Sequence, residues 1–414
     1  MNVDTICAIA DKKILLSNGT LKAFRESHLH AFRDAGFQAP NPDDYKFTNL
    51  EKFFSGLAYE PKNLDAEENL VVSTGLPTLC FADGVLQENF AKLDGVTVSP
   101  LKAHFAQVKD ALKLGNALSH LHHSLLEEGV VIEVAKNVEV REPLRIVHIA
   151  SKTVLSAPTV FIVAGPSSKV TILEECIGAN VPYAQINETY VVAHPGARVE
   201  HIQLTEGSEA GIHHGALYAE VEKDATVTSV ILNTSGKLIR KNLCLNLNAP
   251  GALGESYSLF LTHGSEHSDV NTVINHRAPD SSSSQIAKGI LSGESRGVFT
   301  GLIHIFPDAQ RVVSSQINKN LLLSKKAQVH SQPQLEIFAD DVKCSHGSTT
   351  GQLSPDEVFY FQTRGIPAEK ARTLLAHGFG MEVVGKIQNA LARDRVGQFI
   401  LKHLETKFAL GRLA

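Results

Sequence analysis

Tryptophan is absent from this sequence, methionine occurs twice, and aromatic residues make up 6% of its 414 positions. An enzyme that works in a polysaccharide groove needs aromatic platforms beside its carboxylates, so this scarcity counts against that class. An excess of basic charge is missing as well. Lys and Arg number 39 against 44 Asp and Glu, for a formal net charge of −5, which excludes a broad nucleic-acid surface. No apolar run reaches the roughly 18 residues of a membrane span. The opening MNVDTICAIADKK places Asp4 before any apolar stretch and Lys12 and Lys13 after it, the wrong order for a secretory signal. The five cysteines include no CxxC pair, so neither a zinc knuckle nor a thioredoxin motif is present, and reduced thiols in a cytoplasmic protein are expected. Walker loops and strand-linked GxGxxG turns are also missing. Any nucleotide hydrolysis must come from a partner.

What is present falls into three zones. Residues 1 to 129 mix helical periodicity with loops. Leu21, Phe24, Leu29, Phe32 and Phe37 form a stripe from Thr20 to Phe37, stopped by Asn41-Pro42, and a second helix is expected from Ser99 to Glu128. From Val130 to residue 351 the period changes to short β-branched runs such as TVFIVA and TVTSVIL. Turn tags recur among them at Pro166, Pro195, Lys223, Pro250, Pro279 and Pro307, in steps of 29, 28, 27, 29 and 28. A fixed step with strands between is the signature of stacked coils, each covering the apolar face of the last, whereas a sandwich would turn every 8 to 12 residues or so. Pro195, Pro250 and Pro307 should therefore occupy equivalent corners. From 352 to 414 the chain reads as helical. Ser354-Pro355-Asp356-Glu357 opens one helix, and Arg364-Gly365-Ile366-Pro367 joins it to another. Gly365 permits a sharp reversal and Pro367 starts the next helix, so the hairpin should sit rigidly against the solenoid's end.

Cys344 and His346 are two apart in LEIFADDVKCSHG, a strand-like segment closing on a glycine. Residues i and i+2 of a strand share a face, about 6.6 Å apart at the backbone, so thiol and imidazole can converge on a metal ion or on neighbouring irons. A buried cysteine beside a surface histidine is the plain alternative. Two ligands cannot close a four-coordinate site, so another subunit would have to complete it. The remaining histidines carry less. His263 and His267 are four apart, about 13 Å on a strand, and His122-His123 and His213-His214 should point to different sides of a regular element. Asp340-Asp341 reads as a solvated turn.

The stretch from Gln316 to Ile366, QINKNLLLSKKAQVHSQPQLEIFADDVKCSHGSTTGQLSPDEVFYFQTRGI, resembles the C-terminal core signature of the SufB/SufD family of iron–sulfur cluster assembly proteins. Asp44-Tyr45-Lys46-Phe47-Thr48, Gly251 to Gly254 and GVFTGLIHIFPDAQ at 297–310 support it. Cys344-Ser345-His346-Gly347 is similar to the SufD branch. The chain departs at Tyr45, where the family often has Trp, and at Ser348, commonly Ala. The resemblance implies a mainly β fold, a right-handed parallel β-helix core flanked by N- and C-terminal α-helical domains. It further implies a scaffold, with no activity of its own, in a complex with a SufB-like paralogue and a SufC-like ATPase. No cofactor is then stably bound by this chain alone, a transient Fe–S cluster forms in the complex, and His346 and Cys344 are its candidate ligands. Ser354, Arg364, Gly365, Ile366 and Pro367 are the candidate contacts to the ATPase. Partners outside these classes, nucleic acid and membrane, are not expected. A homo-oligomeric solenoid without a cluster role, such as a homodimer, remains an alternative, as does a β-helix polysaccharide enzyme.

Overall fold

In the computed structural model the recurrent tags form one corner of each coil. The structure describes residues 1–38, 45–55, 57, 75–87, 93–112 and 116–408. Asn41-Pro42, Asp44 and the tail beyond 408 lie outside them. At the tagged corner one residue per coil takes a left-handed backbone: Asn137, Ser167, Gly196, Asp224, Gly251, Asp280 and Arg311, with φ between 56° and 77°. That conformation favours Gly, Asn and Asp. The next residue points inward and is small and buried at Ser168, Ala197, Ala225, Ala252 and Ser281. Successive corners are stitched together by backbone bonds, Ser167 N–H to Pro195 O at 3.0 Å, Gly196 N–H to Lys223 O at 2.9 Å and Asp224 N–H to Pro250 O at 3.2 Å. Pro195, Pro250 and Pro307 all lie where the chain passes from one sheet to the other, which is the equivalence the spacing predicts.

Twenty strands and eight α-helices are found among the described residues. The helices are α1 (Val3–Leu15), α2 (Gly19–Ala35), α3 (Leu50–Ser55), α4 (Leu101–Val108), α5 (Ala117–Leu125), α6 (Pro355–Gln362), α7 (Ala368–Val384) and α8 (Ala390–Lys407). The first sheet begins with β2 (Val85–Gln87), β1 (Thr78–Ala82), β5 (Leu144–Ala150), β8 (Lys169–Gly178) and β10 (Arg198–Glu206). It continues through β12 (Thr226–Ser235), β14 (Leu253–Thr262), β16 (Ser282–Leu291) and β18 (Val312–Leu322) to β20 (Val342–Gly351). The second begins with β3 (Val96–Pro100), β4 (Gly129–Val134), β7 (Thr159–Ala164), β9 (Tyr183–Ala193) and β11 (Gly211–Val221). It ends with β13 (Leu238–Leu247), β15 (His267–His276), β17 (Arg296–Ile305) and β19 (Gln328–Ile337), and the short β6 (Leu155–Ser156) pairs β9. From β4 to β20 every pairing is parallel, giving a mainly β, parallel solenoid of about eight turns.

The interior between the sheets is lined at one end of each strand by Val, Ile, Leu and Ala, among them Ile172, Val199, Val227, Leu245 and Val270. Each such side chain contributes about 1.5–3 kcal/mol on burial. The outer faces are covered by helices. α1, α2, α3 and α5 pack on the second sheet through Ile6, Phe32, Phe54 and Leu121 against Ala184, Ile186 and Ile212. α7 and α8 cover the first sheet, with Val383, Val396, Ile400 and Leu404 against Leu204, Val230, Leu259 and Ile290.

Several sequence expectations are corrected. The zone before residue 130 is not helices and loops alone, because β1, β2 and β3 join the two sheets. The helix expected over Ser99–Glu128 is broken. Ser99 and Pro100 pair with β4, α4 follows, a single 3-10 turn spans 109–111, and Asn116 caps a fresh helix through bonds from Leu118 and Ser119. In the C-terminal zone Ser354 sits at the N-cap of α6 but its hydroxyl makes no capping bond. The hairpin also does not rest on the solenoid's end. α7 lies along the wall formed by β14 and β16, and α6 is held by α7. Apolar residues along α7 seek a broad flat face, which the wall offers and the end does not.

Candidate functional site: the open end of the solenoid

The two ends of the solenoid differ. At the first, the short β2 and β3 run antiparallel to the strands they pair and end the two sheets. At the last, among the described residues, β20 pairs only with β18 and β19 only with β17, which leaves two parallel strand edges there.

Cys344 and His346 lie on β20, opposite Ser314 and Gln316. The register identifies which way they face. Ser229, Ser256, Gln285, Gln316 and His346 are successive rungs of one ladder beginning at His201. Gln316 donates to Gln285, and Gln285 donates across the interior to Thr272 of the second sheet. This ladder therefore faces inward, and His346 is its last rung, exposed because no further coil covers it. Cys344 is half-buried against Ile303, Ile305 and Val312. Burial pushes its thiol up from the ordinary range, with a backbone hydrogen bond from Ser314 opposing. Metal binding would have to draw that thiol into its thiolate form. The shared face of a strand that the sequence predicts for these two residues is present. Apolar residues surround the mouth: Val313 and Ile317 outside β18, and Ile337 and Phe338 at the end of β19, are exposed.

The other predicted contacts are spread along the helical hairpin. Arg364 stacks on Tyr360 at 3.6 Å from the ring centre, Gly365 has φ +79°, Ile366 is half-buried, and Pro367 precedes α7. On α6, Phe359 and Tyr360 are 64% and 55% exposed. Arg364 to Pro367 are thus contiguous at the joint between α6 and α7, while Ser354 lies at the opposite end of α6.

Sequence reasoning missed the polar interior. Glu174 Oε2 accepts from His201 Nε2 at 2.7 Å, and His148 Nε2 stands 3.0 Å from its other oxygen. Burial would raise its carboxyl, but those two imidazoles reverse the effect and hold it well below the usual range. Burial pushes the nearby Cys176 thiol up to about 12, so it stays protonated and inert. The adjacent Glu175 faces outward and binds Arg145 and Arg395, tying α8 to the wall. A Glu-Glu pair inside a β-branched run, KVTILEECIG, was the available signal. His263 and His267 share no ion: His263 bonds Ser292 at 2.8 Å and His267 bonds Thr48 at 3.0 Å. Asp340 and Asp341 form an exposed bend, as the sequence predicts.

The chain is a parallel β-solenoid with antiparallel strands at one end and a thiol and an imidazole on the strand at the other. The family model for the SUF system FeS cluster assembly SufBD core domain matches residues 147–379, and the chain belongs to that family. It is similar to the iron–sulfur cluster assembly protein SufD of Escherichia coli, 28% identical over 387 residues and 90% of each chain. A chloroplastic Arabidopsis thaliana protein, ABCI7, is 31% identical over 277 residues, 64% of this chain and 58% of its own. SufD of Bacillus subtilis is 28% identical over 289 residues, 68% of this chain and 65% of its own. The aligned stretch thus spans less than two thirds of the Arabidopsis and Bacillus relatives' length. No described helix is long and apolar enough to cross a membrane.

Proposed function

We propose that this chain is a SufD-type scaffold subunit, not an enzyme, on which an iron–sulfur cluster is assembled as cargo. Its open end pairs with a SufB-like paralogue, and His346, with Cys344 beside it, faces the nascent cluster there. The observation that carries this reading is the placement of both side chains on the inward face of the uncapped strand β20. Thiolate and imidazole suit iron, and the ligands this chain cannot supply come from the partner. Unpaired edges and the exposed Ile317, Ile337 and Phe338 favour strand-to-strand docking at this end. In the absence of the paralogue, two copies can pair through the same edges as a homodimer. A SufC-like ATPase docks on the hairpin from Ser354 through Pro367, chiefly on the apolar face that α6 exposes.

The test is anaerobic reconstitution of the three-subunit complex with His346→Ala. The complex should still purify intact while its visible cluster absorption is lost. Cys344→Ala should retain most of the signal, because Ala nearly fills the space of a small thiol. Wild-type cluster formation by His346→Ala would remove the ligand assignment and leave the pairing surface to be tested separately.

A further inference from the structure

A second set of ligand atoms lies far from the open end, where α5 meets the outer face of β9. Adjacent residues on a helix differ by about 100° in direction, so both can address a carboxylate lying beneath it. His122 Nδ1 and His123 Nε2 stand 3.3 and 2.9 Å from the same Oε2 of Glu188. All three side chains are fully buried, and their ligand atoms lie within 4.8 Å of one another. The expectation that these adjacent histidines diverge fails here, because α5 lies flat on the sheet.

The hydrogen bonds around His122 decide what belongs between these groups. Its Nε2 is 3.2 Å from the carbonyl of Pro158 and 3.3 Å from Thr159 Oγ1. A carbonyl only accepts, so Nε2 carries the hydrogen, and in the neutral ring Nδ1 turns its lone pair toward Glu188. Two acceptors facing each other in a dry interior repel, and a positive charge between them is needed. The other carboxylate oxygen, Oε1, has no hydrogen-bond partner among the described residues. A ring whose far N–H is held by a backbone carbonyl is oriented as metal-ligating histidines are.

We propose that His122, His123 and Glu188 bind a first-row divalent cation of the zinc type, fastening α5 to the second sheet. Two imidazoles and a carboxylate form a nitrogen and oxygen donor set suited to such ions. Ligation through His123 Nε2 leaves that ring's proton on Nδ1. The hydroxyl of Tyr190, 3.0 Å from His123 Nε2 and hydrogen-bonded to Glu188, neighbours the fourth position. His28, its ring 4.7 Å from that of His123, and the half-buried His120, 3.1 Å from His28 between Nδ1 atoms, extend the imidazoles toward the surface.

The probe is Co²⁺ added to the full chain after anaerobic chelator treatment, in a Cys344→Ala/His346→Ala background that silences the open end. One equivalent should bind, with the visible bands of four- or five-coordinate cobalt, no thiolate charge-transfer band, and a raised melting temperature. Glu188→Gln in the same background should weaken binding at least about 100-fold, a direct ligand mattering no less than an outer one. Failure of the parent to bind one equivalent means that a proton fills the gap, and overturns the proposal. So does a thiolate band, or an unchanged spectrum in Glu188→Gln. Should Glu188→Gln fail to fold by circular dichroism, the parent titration still decides.

Discussion

Gly264 and Gly293 stack at the corner opposite the tagged one, with φ of +61° and +68°. A Cβ on Gly293 would stand 2.8 Å from the backbone nitrogen of Gly264 and 3.0 Å from its Cα. Backbone cannot yield as the tip of a side chain does, and a left-handed alanine is strained besides. Gly293→Ala should therefore destabilise the fold by about 2–3 kcal/mol, read as a lower midpoint in urea. A loss under about 0.5 kcal/mol would show that the corner relaxes freely. At this scale, legibility depended on sequence distance. Cys344 and His346 could be read as a pair because the strand period alone puts them on one face. Glu188 could not, since its partners arrive on a helix from an earlier zone, and no local period points to them. The corner glycines were equally silent, their left-handed backbone having no counterpart in composition.

The helical hairpin is where an element-level reading was half right. Its two helices, their joint and the reversal at Gly365 follow from Ser, Pro and Gly positions, but its resting place does not, because the wall it covers is built from coils of the middle zone. That placement changes how the hairpin can be tested. Truncation at Gly351 would strip α7 and α8 from Leu204, Val230, Leu259 and Ile290. It would also orphan the buried Lys288, which donates to the Phe379 carbonyl at 2.8 Å and pairs with Glu382. The apolar wall left bare then decides the outcome, so such a truncation tests folding rather than docking. Phe359 and Tyr360 are better targets, since both side chains are mostly in solvent. Phe359→Asp/Tyr360→Asp should keep the wild-type melting temperature and abolish co-purification with the ATPase. Retained binding would move the docking surface elsewhere.

Across the whole molecule the solenoid was legible because its corners impose chemistry at a fixed step, and six tags in register outweigh any single turn. The capping strands were not, being short, irregular and antiparallel. Burial of histidine throughout the structure has a global effect that no one residue displays. Burial pushes His267, His276 and His403 down to about 4, and His214 to about 3, from 6.5. Below 6.5 the unfolded chain takes up protons at these sites while the native chain does not. Stability present above that pH is therefore lost as pH falls toward 4, each ring removing at most about 1.4 kcal/mol for every tenfold rise in proton concentration. Melting temperature should be nearly level from pH 8 to 7 and fall steeply between pH 6 and 4.5. A level profile through pH 5 would mean that these rings reach solvent.

The unlike ends of the solenoid also bear on how many molecules the proposed docking could join. A stack of coils open at both ends can add units head to tail without limit, as fibres do. With the short β2 and β3 antiparallel at one end, the docking proposed for β19 and β20 would make this chain a polymer with a single long parallel terminus. Once that terminus meets another of its kind, both are consumed and growth stops at two. On that proposal the antiparallel end acts as a chain stopper, and a closed pair is the largest object that parallel edge pairing would build.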